Sequence, residues 1–357
     1  MKKYSVLFLL ALPFSAFALE SKADNSGDWQ YICDNTGTCR IAGYQEKDNL
    51  QAISLLFTRE AGLDAPTTAE IALLPENEVA IPEKVTLEIG GKVQGELAID
   101  KESGRGTLDE AAIKAVIEAL RDHGDKAEIR VRGGDLQWQL SAKGAGAMWF
   151  GAESFQKRIG TPSSWMSPGD RTEGLLEAVA KPVIKTAPVS QEAARVVKPG
   201  EGDYDRLRAL LAETERKARA ADDVACERFD AEGVKAMQNP DELLDIQVYK
   251  LDEQHKLLSA MCGSGAYNTL EVFAWTDAQM GKVIDGLRVF TGGEGYREGR
   301  IYEFSAARGA SDCAFYASHV WTGETFVRAF AAETGLCSNF PGGAWELPIW
   351  VSEVVEP

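Results

Sequence analysis

Histidine is nearly missing from this chain: there are three in 357 residues, His123, His255 and His319. So little imidazole is a poor stock for zinc centres and for proton transfer near neutral pH. The sequence also lacks an HExxH pair, a GxxxxGK[ST] phosphate loop, a GxSxG elbow and any CxxC pair. Those gaps exclude the commonest signatures of zinc hydrolases, nucleotide hydrolases, serine hydrolases of the elbow type and zinc-binding modules. Calcium loops of the D-x-D-x-D-G kind are absent as well. Beyond the first residues no apolar run approaches the length of a membrane-spanning helix. Positive charge is short too, with 38 Lys and Arg against 55 Asp and Glu, a net charge of -17. That balance disfavours nucleic acid and anionic membranes as partners and suits solubility or a basic partner.

At the N-terminus, Lys2-Lys3, the apolar run Tyr4–Phe14 and Ala16-Phe17-Ala18 have the order of a secretory leader, and residues 1–18 are expected to be removed near Ala18. Loss of Lys2 and Lys3 takes the charge to about -19. The expected location is the periplasm, as a chain with no integral membrane segment. All six cysteines follow the leader: Cys33, Cys39, Cys226, Cys262, Cys313 and Cys337. An even count in an oxidising compartment favours disulfides over free thiols. Cys33 and Cys39 flank Asp34-Asn35-Thr36-Gly37-Thr38, a turn-rich link suited to a bridge across a hairpin mouth. Pairing Cys226 with Cys262 and Cys313 with Cys337 is preferred for the rest, although spacing leaves the connectivity of these four open.

A chain of this length ordinarily holds more than one core. Pro162, Pro168, Pro182, Pro188 and Pro199 mark a composition shift. Residues 19–166 are therefore expected as a β-rich, sandwich-like domain, 167–201 as a linker with at most a helical turn at Leu175–Val179, and 202–357 as a disulfide-tied α+β domain. In the first, short β-type runs such as Trp29–Cys33 and Cys39–Tyr44 precede a helix read from Thr107 to His123. Its start is a capping box of Thr107 with Glu110, its stripe includes Ala112, Val116 and Leu120, and Gly124 ends it. A hairpin around Gly133-Gly134-Asp135 and a short helix over Ala145–Arg158, with Phe150 and Phe155 to dock, complete this half. The second half opens with a helix from Tyr204 to about Ala221, passes through a loop at Asn239-Pro240, and continues in seven strands. The last two are joined by Thr322-Gly323.

Chemistry is sparse. Ser264 with His319 and Asp312, or Cys262 with His319, can be written as nucleophile and base, but paired cysteines leave no thiolate and spacing alone builds no triad. Gly144-Ala-Gly146 misses the dinucleotide fingerprint. No catalytic residue, metal site or cofactor is implied. Trp275, Trp321, Trp345 and Trp350 either fill a β-rich core, the usual fate of tryptophan, or line a cleft. If there is a binding surface, Tyr267, Asn268, His319 and Trp321 are its candidate residues.

Three segments carry a resemblance: Cys33 to Tyr44 (CDNTGTCRIAGY), Cys262 to Asn268 (CGSGAYN), and Asp312-Cys313 with Trp321-Thr322-Gly323 and Cys337. They resemble the exported bacterial proteins called DUF1176, which share six cysteines, across nearly the whole chain. Residues 54–162 also resemble the invasion-associated locus B β-sandwich. Neither resemblance implies an activity. The expected role is a non-enzymatic binding or interaction protein of the cell envelope, its partner another envelope protein or a basic one. The alternatives are an envelope hydrolase with its site in the second domain, using Ser264 or an acidic pair, and a structural envelope stress factor.

Overall fold

A computed structural model describes residues 18–357 apart from 48, 77–78, 221–224, 227, 230–243 and 294. Residues 1–17 of the expected leader and the Asn239-Pro240 loop fall outside the described residues. The first half runs β1 (Lys22–Ser26), β2 (Trp29–Cys33), β3 (Cys39–Tyr44), β4 (Ala52–Arg59), β5 (Thr67–Leu74), β6 (Lys84–Ile89), β7 (Lys92–Asp100) and β8 (Arg105–Leu108). Helix α1 (Glu110–His123), β9 (Ile129–Gly133), β10 (Leu136–Leu140) and α2 (Ala145–Phe155) follow. The ten strands form one sheet in the order β1-β2-β3-β4-β5-β8-β7-β6-β9-β10. It curls: the inward residues of β4 and β5 (Phe57, Ile71) and those of β9 and β10 (Val131, Trp138) belong to one core. The Trp138 indole N–H reaches the Leu74 carbonyl at 3.4 Å, across the curl. Period-two alternation supplies this face, because each strand turns every second side chain inward.

Helix α1 closes the core with Ile113, Val116, Ile117 and Leu120. Its start differs from the expected capping box. Thr107 lies in β8, paired with Glu70 of β5, so its backbone is committed to the sheet. Asp109, just past the ladder, is the cap and accepts the Ala112 N–H at 2.8 Å. Gly124 ends the helix at a positive φ of 55° that favours glycine, with its N–H on the Leu120 carbonyl. Helix α2 stops at Phe155, and its Phe150 is half exposed rather than docked, because only the opposite side of α2 meets the sheet.

The second half contains β11 (Val183–Lys185), β12 (Arg195–Val197), α3 (Tyr204–Ala218), β13 (Ile246–Lys250), β14 (His255–Ser264), β15 (Thr269–Asp277) and β16 (Val283–Thr291). It continues with β17 (Tyr296–Arg297), β18 (Arg300–Ala306), β19 (Ala314–Trp321), β20 (Phe326–Glu333), β21 (Leu347–Val351) and β22 (Glu353–Val355). Two five-stranded sheets, β12–β16 and β17–β21, follow chain order, and β11 pairs in parallel with β22. Leu257, Phe273, Trp275, Ile301, Trp321 and Phe326 fill the space the two sheets share. Helix α3 covers the far side of the first with Tyr204, Leu207 and Leu211. Gly286 of β16 lies where a Cβ would overlap the Thr214 side chain of α3. Among the described residues strand exceeds helix about threefold, 42% against 14%, so the fold is β-rich.

The proline-rich stretch forms no helical turn at Leu175–Val179 and is hydrogen-bonded along both halves. The Val179 N–H meets the Thr36 carbonyl at 3.0 Å and the Ala187 N–H meets that of Trp321 at 3.0 Å. The chain's last segment returns to the first sheet. Phe340, Ala344, Trp345 and Leu347 pack on its outer face over Ile32, Ala42, Tyr44 and Leu56. There the Trp345 indole N–H donates to the Ser54 hydroxyl at 2.7 Å. The Asn35 side chain exchanges bonds of 3.0 and 2.7 Å with the Val351 backbone. The cysteines pair as Cys33–Cys39 across the β2–β3 mouth, Cys226–Cys262 and Cys313–Cys337.

Candidate functional site

The four residues singled out in the sequence lie at different depths. Trp321 is buried in the core between the five-stranded sheets, edge-on to His255 with ring centroids 5.2 Å apart. His319 is buried on β19 and its Nε2 pairs with Glu303 of β18. Asn268 clamps the Ala306 backbone: its Nδ2 donates to the carbonyl at 3.0 Å and its Oδ1 accepts the N–H at 2.7 Å. Tyr267 is exposed, its ring close against Gly309. Ala306 pairs with Ala314 at the start of β19. His319 and Trp321 are five and seven residues further along that strand, roughly 17 and 23 Å at a strand's rise per residue. Tyr267 and Asn268 therefore adjoin one end of the sheet, and His319 and Trp321 the other.

A triad of Ser264, His319 and Asp312 is not assembled. His319 Nε2 is on Glu303, while the buried Asp312 carboxylate is held by the Arg308 guanidinium and by the Asn339 N–H at 2.8 Å. Asp312, Cys313 and Cys337 bring possible ligand atoms within 4.8 Å of one another, but both sulfurs are spent in a disulfide and offer no thiolate to a metal.

A concavity of about 630 Å³ lies in the first half, between the ends of β4, β5 and β8, the start of α1 and the loop carrying Trp165. Alternation sets its lining. Arg59 points the same way as the core residue Phe57, and cross-strand Thr67 shares that face. Ala69, Leu108 and Ile113 supply an apolar floor, with Trp165 and Pro66 as walls. Glu110 opens the first turn of α1, and Glu70 stands on the opposite strand parity from Ala69.

A buried polar network holds this wall. The Glu153 carboxylate, on α2, accepts the Ser164 hydroxyl (2.6 Å) and the backbone N–H groups of Trp165 (2.6 Å) and Met166 (3.2 Å). The Trp165 indole N–H donates to the Thr67 hydroxyl at 3.0 Å. Arg158, wholly buried, donates to Gln156 Oε1, the Ser163 hydroxyl and the carbonyls of Glu60 and Gly62. Arg59 donates from Nε to the Ala65 carbonyl (3.2 Å) and from Nη1 to that of Ser163 (2.7 Å). Its Nη2 has no hydrogen-bond partner among the described residues. Burial, then the neighbouring Arg158 charge, push its pKa down to about 10 against the opposing pull of Glu153. It remains a cation at neutral pH.

A family model described as "Protein of unknown function (DUF1176)" matches residues 24–352. The chain belongs to the DUF1176 family. It is also similar to "Uncharacterized protein YpfG" of Escherichia coli (strain K12), 24% identical over 374 residues that cover 97% of this chain and 98% of that protein. No solved structure matches.

This DUF1176 chain has a second, shallower hollow of about 350 Å³ at the end of the β17–β21 sheet, beside Asn268, Ser305, Phe315 and Glu333. Burial raises the Glu333 pKa, and no hydrogen bond or ion pair to its carboxylate is seen among the described residues. Sequence reading passed over the larger cleft. Its only trace there is an isolated Trp165 inside a Pro- and Ser-rich stretch, and an Arg ending the apolar strand Ala52–Phe57.

Proposed function

We propose that this DUF1176 protein is a non-enzymatic binding protein of the periplasm, exported by its leader, with a small-molecule site in the cleft bounded by Arg59 and Trp165. The observation that carries the reading is that cleft: about 630 Å³, floored by apolar side chains, with one cation on its wall. Export is supported by the leader-like N-terminus and by three disulfides, which persist in oxidising compartments. In this reading residues 19–166 form the ligand-binding unit, 167–201 the connection, and 202–357 a second unit whose end clamps the first through Trp345.

Native mass spectrometry of protein purified from the periplasm tests it. Wild type is expected to carry, or to take up from a periplasmic small-molecule extract, a non-covalent ligand. Ala65→Trp, which fills the cleft from a half-buried loop position, is expected to lose it while keeping its circular dichroism. A wild type that stays empty, or an Ala65→Trp protein that binds equally, refutes the site. N-terminal sequencing that finds Met1 retained refutes the processing.

A second reading, a basic envelope partner, is favoured by the hollow at Asn268. A cationic side chain entering there would supply the counter-charge that Glu333 lacks, and the chain's net charge of -17 would attract it. Tyr267, exposed nearby, fits the rim of such a surface, and His319 and Trp321 would support its strand from within. Glu333→Gln should then weaken binding of a basic partner; unchanged affinity removes this reading.

A further inference from the structure

We propose that the cleft recognises a small apolar monoanion, a carboxylate on an aromatic or branched aliphatic body, seated with its charge on Arg59; this rests on the binding reading above and names its ligand class. The first ground is a charge imbalance. Arg158 is buried and the Arg59 side chain is only 11% exposed, yet one carboxylate, Glu153, serves the pair, 3.9 Å from Arg59, and no other lies within ion-pair distance of either among the described residues. Buried charge is costly unless matched, so two guanidiniums with one carboxylate leave a positive site that an entering anion would neutralise.

The second ground is where the spare bonding capacity lies. Arg158 spends its N–H groups on neutral acceptors within the protein. Arg59 spends Nε and Nη1 in the same way, which fixes the plane of the guanidinium, and leaves Nη2 for the cleft. A guanidinium so held presents a charge-assisted donor with little ordering left to do. The third ground is the floor. Ala69, Leu108, Ile113 and the Trp165 ring offer apolar surface and no further cation, which suits one anionic end and a dry body, and not a polyanion. Two carboxylates, Glu70 and Glu110, also line the cleft and disfavour a second negative group.

The experiment uses the mature full-length protein and four probes of one shape: 3-phenylpropanoate, 3-phenylpropanol, 3-phenylpropylamine and the zwitterion phenylalanine. Binding is followed by tryptophan fluorescence, with Trp165→Phe identifying the reporting residue, and by calorimetry. The propanoate is expected to bind at least about tenfold more tightly than the alcohol and the amine, since a hydrogen bond to a charged group exceeds a neutral one by about that factor. Arg59→Gln should bring the acid down to the alcohol's affinity; Arg59→Lys, the more conservative variant should the glutamine protein not fold, should retain part of the preference.

Amine or alcohol binding as tightly as the acid overturns the anion assignment and leaves the cleft reading standing. Phenylalanine binding more tightly than the propanoate overturns the monoanion in favour of a zwitterion. If no probe binds, the ligand class is wrong, and the cleft reading falls with it only if wild type and Ala65→Trp also give the same native mass spectra.

Discussion

Loosening Trp345 should cost the first sheet stability although the two lie almost three hundred residues apart in sequence. Trp345 is 5% exposed on the outer face of the sheet, its N–H on Ser54 Oγ at 2.7 Å and the Arg105 guanidinium 4.6 Å from its ring centroid. The Ser54 hydroxyl donates in turn to the Gly43 carbonyl at 2.9 Å. Removing the ring in Trp345→Ala creates a cavity and should cost about 3–5 kcal/mol. Trp345→Phe keeps most of the apolar contact and loses the indole donor, for about 1 kcal/mol. Ser54→Ala strands the buried indole N–H and should cost about 1–3 kcal/mol. Both single variants break the same bond, so the double variant should cost less than their sum by at least about 0.5 kcal/mol. Urea unfolding followed by far-ultraviolet circular dichroism measures the four variants against wild type. Additivity of the two changes, or a Trp345→Ala protein as stable as wild type, would show that the C-terminal segment is not seated on the sheet as described.

Gly43→Ala should destabilise by several kcal/mol, because a Cβ there falls inside the Trp29 ring directly across the ladder; thermal melting checks it, and a shift of a degree or less refutes the contact. Burial raises the Glu271 pKa, with hydrogen bonds from Ser259 and Thr291 opposing, so the folded state holds its proton more tightly than the unfolded state does. Its contribution is complete below an unfolded pKa of about 4.3 and is lost as pH rises through the folded value. Glu271→Gln should therefore gain stability relative to wild type from pH 4 to pH 7 in urea titrations; a pH-independent difference would refute the sign. Asp312 runs the other way: burial raises its pKa, but Arg308 and the Asn339 N–H together outweigh it and the net is lowered. Its contribution is present above about pH 3.9 and fades as pH falls. Asp312→Asn should cost about 1.5–3 kcal/mol at pH 7 and progressively less in acid, by the same titration. An equal cost at both ends refutes it.

Legibility followed physical scale. Strands such as Trp29–Cys33 and Arg300–Ala306 were readable to the residue, because runs of β-type side chains there are bounded by turn residues. Strands of three residues such as Val183–Lys185 left no such pattern; their partner is Glu353–Val355, and only tertiary pairing makes them strands. The capping box at Thr107 failed for the same reason, since a cross-strand partner outcompeted a local hydrogen bond. The curl of the first sheet and the return of Trp345 to it are contacts over long sequence separations, which carry no period to read. Arg59 and Trp165 come from different elements and meet through Glu153 on a third. A cleft assembled that way has no motif.

Salt dependence gives the cleft a signature that a surface site would not share. The chain's net charge of -17 repels a small anion at long range, and salt screens that repulsion with a Debye length of about 10 Å at 0.1 M. The attraction inside the cleft acts at contact, on a guanidinium whose side chain is 11% exposed, where mobile ions screen little. Raising salt from about 0.02 to 0.3 M should therefore leave 3-phenylpropanoate affinity unchanged or improve it, the gain falling mainly in the association rate. An exposed basic patch would behave oppositely, losing affinity steadily as its own attraction is screened. Stopped-flow fluorescence across that range separates the two, and a dissociation constant that weakens severalfold with salt would place the anion on surface lysines or arginines and not on Arg59.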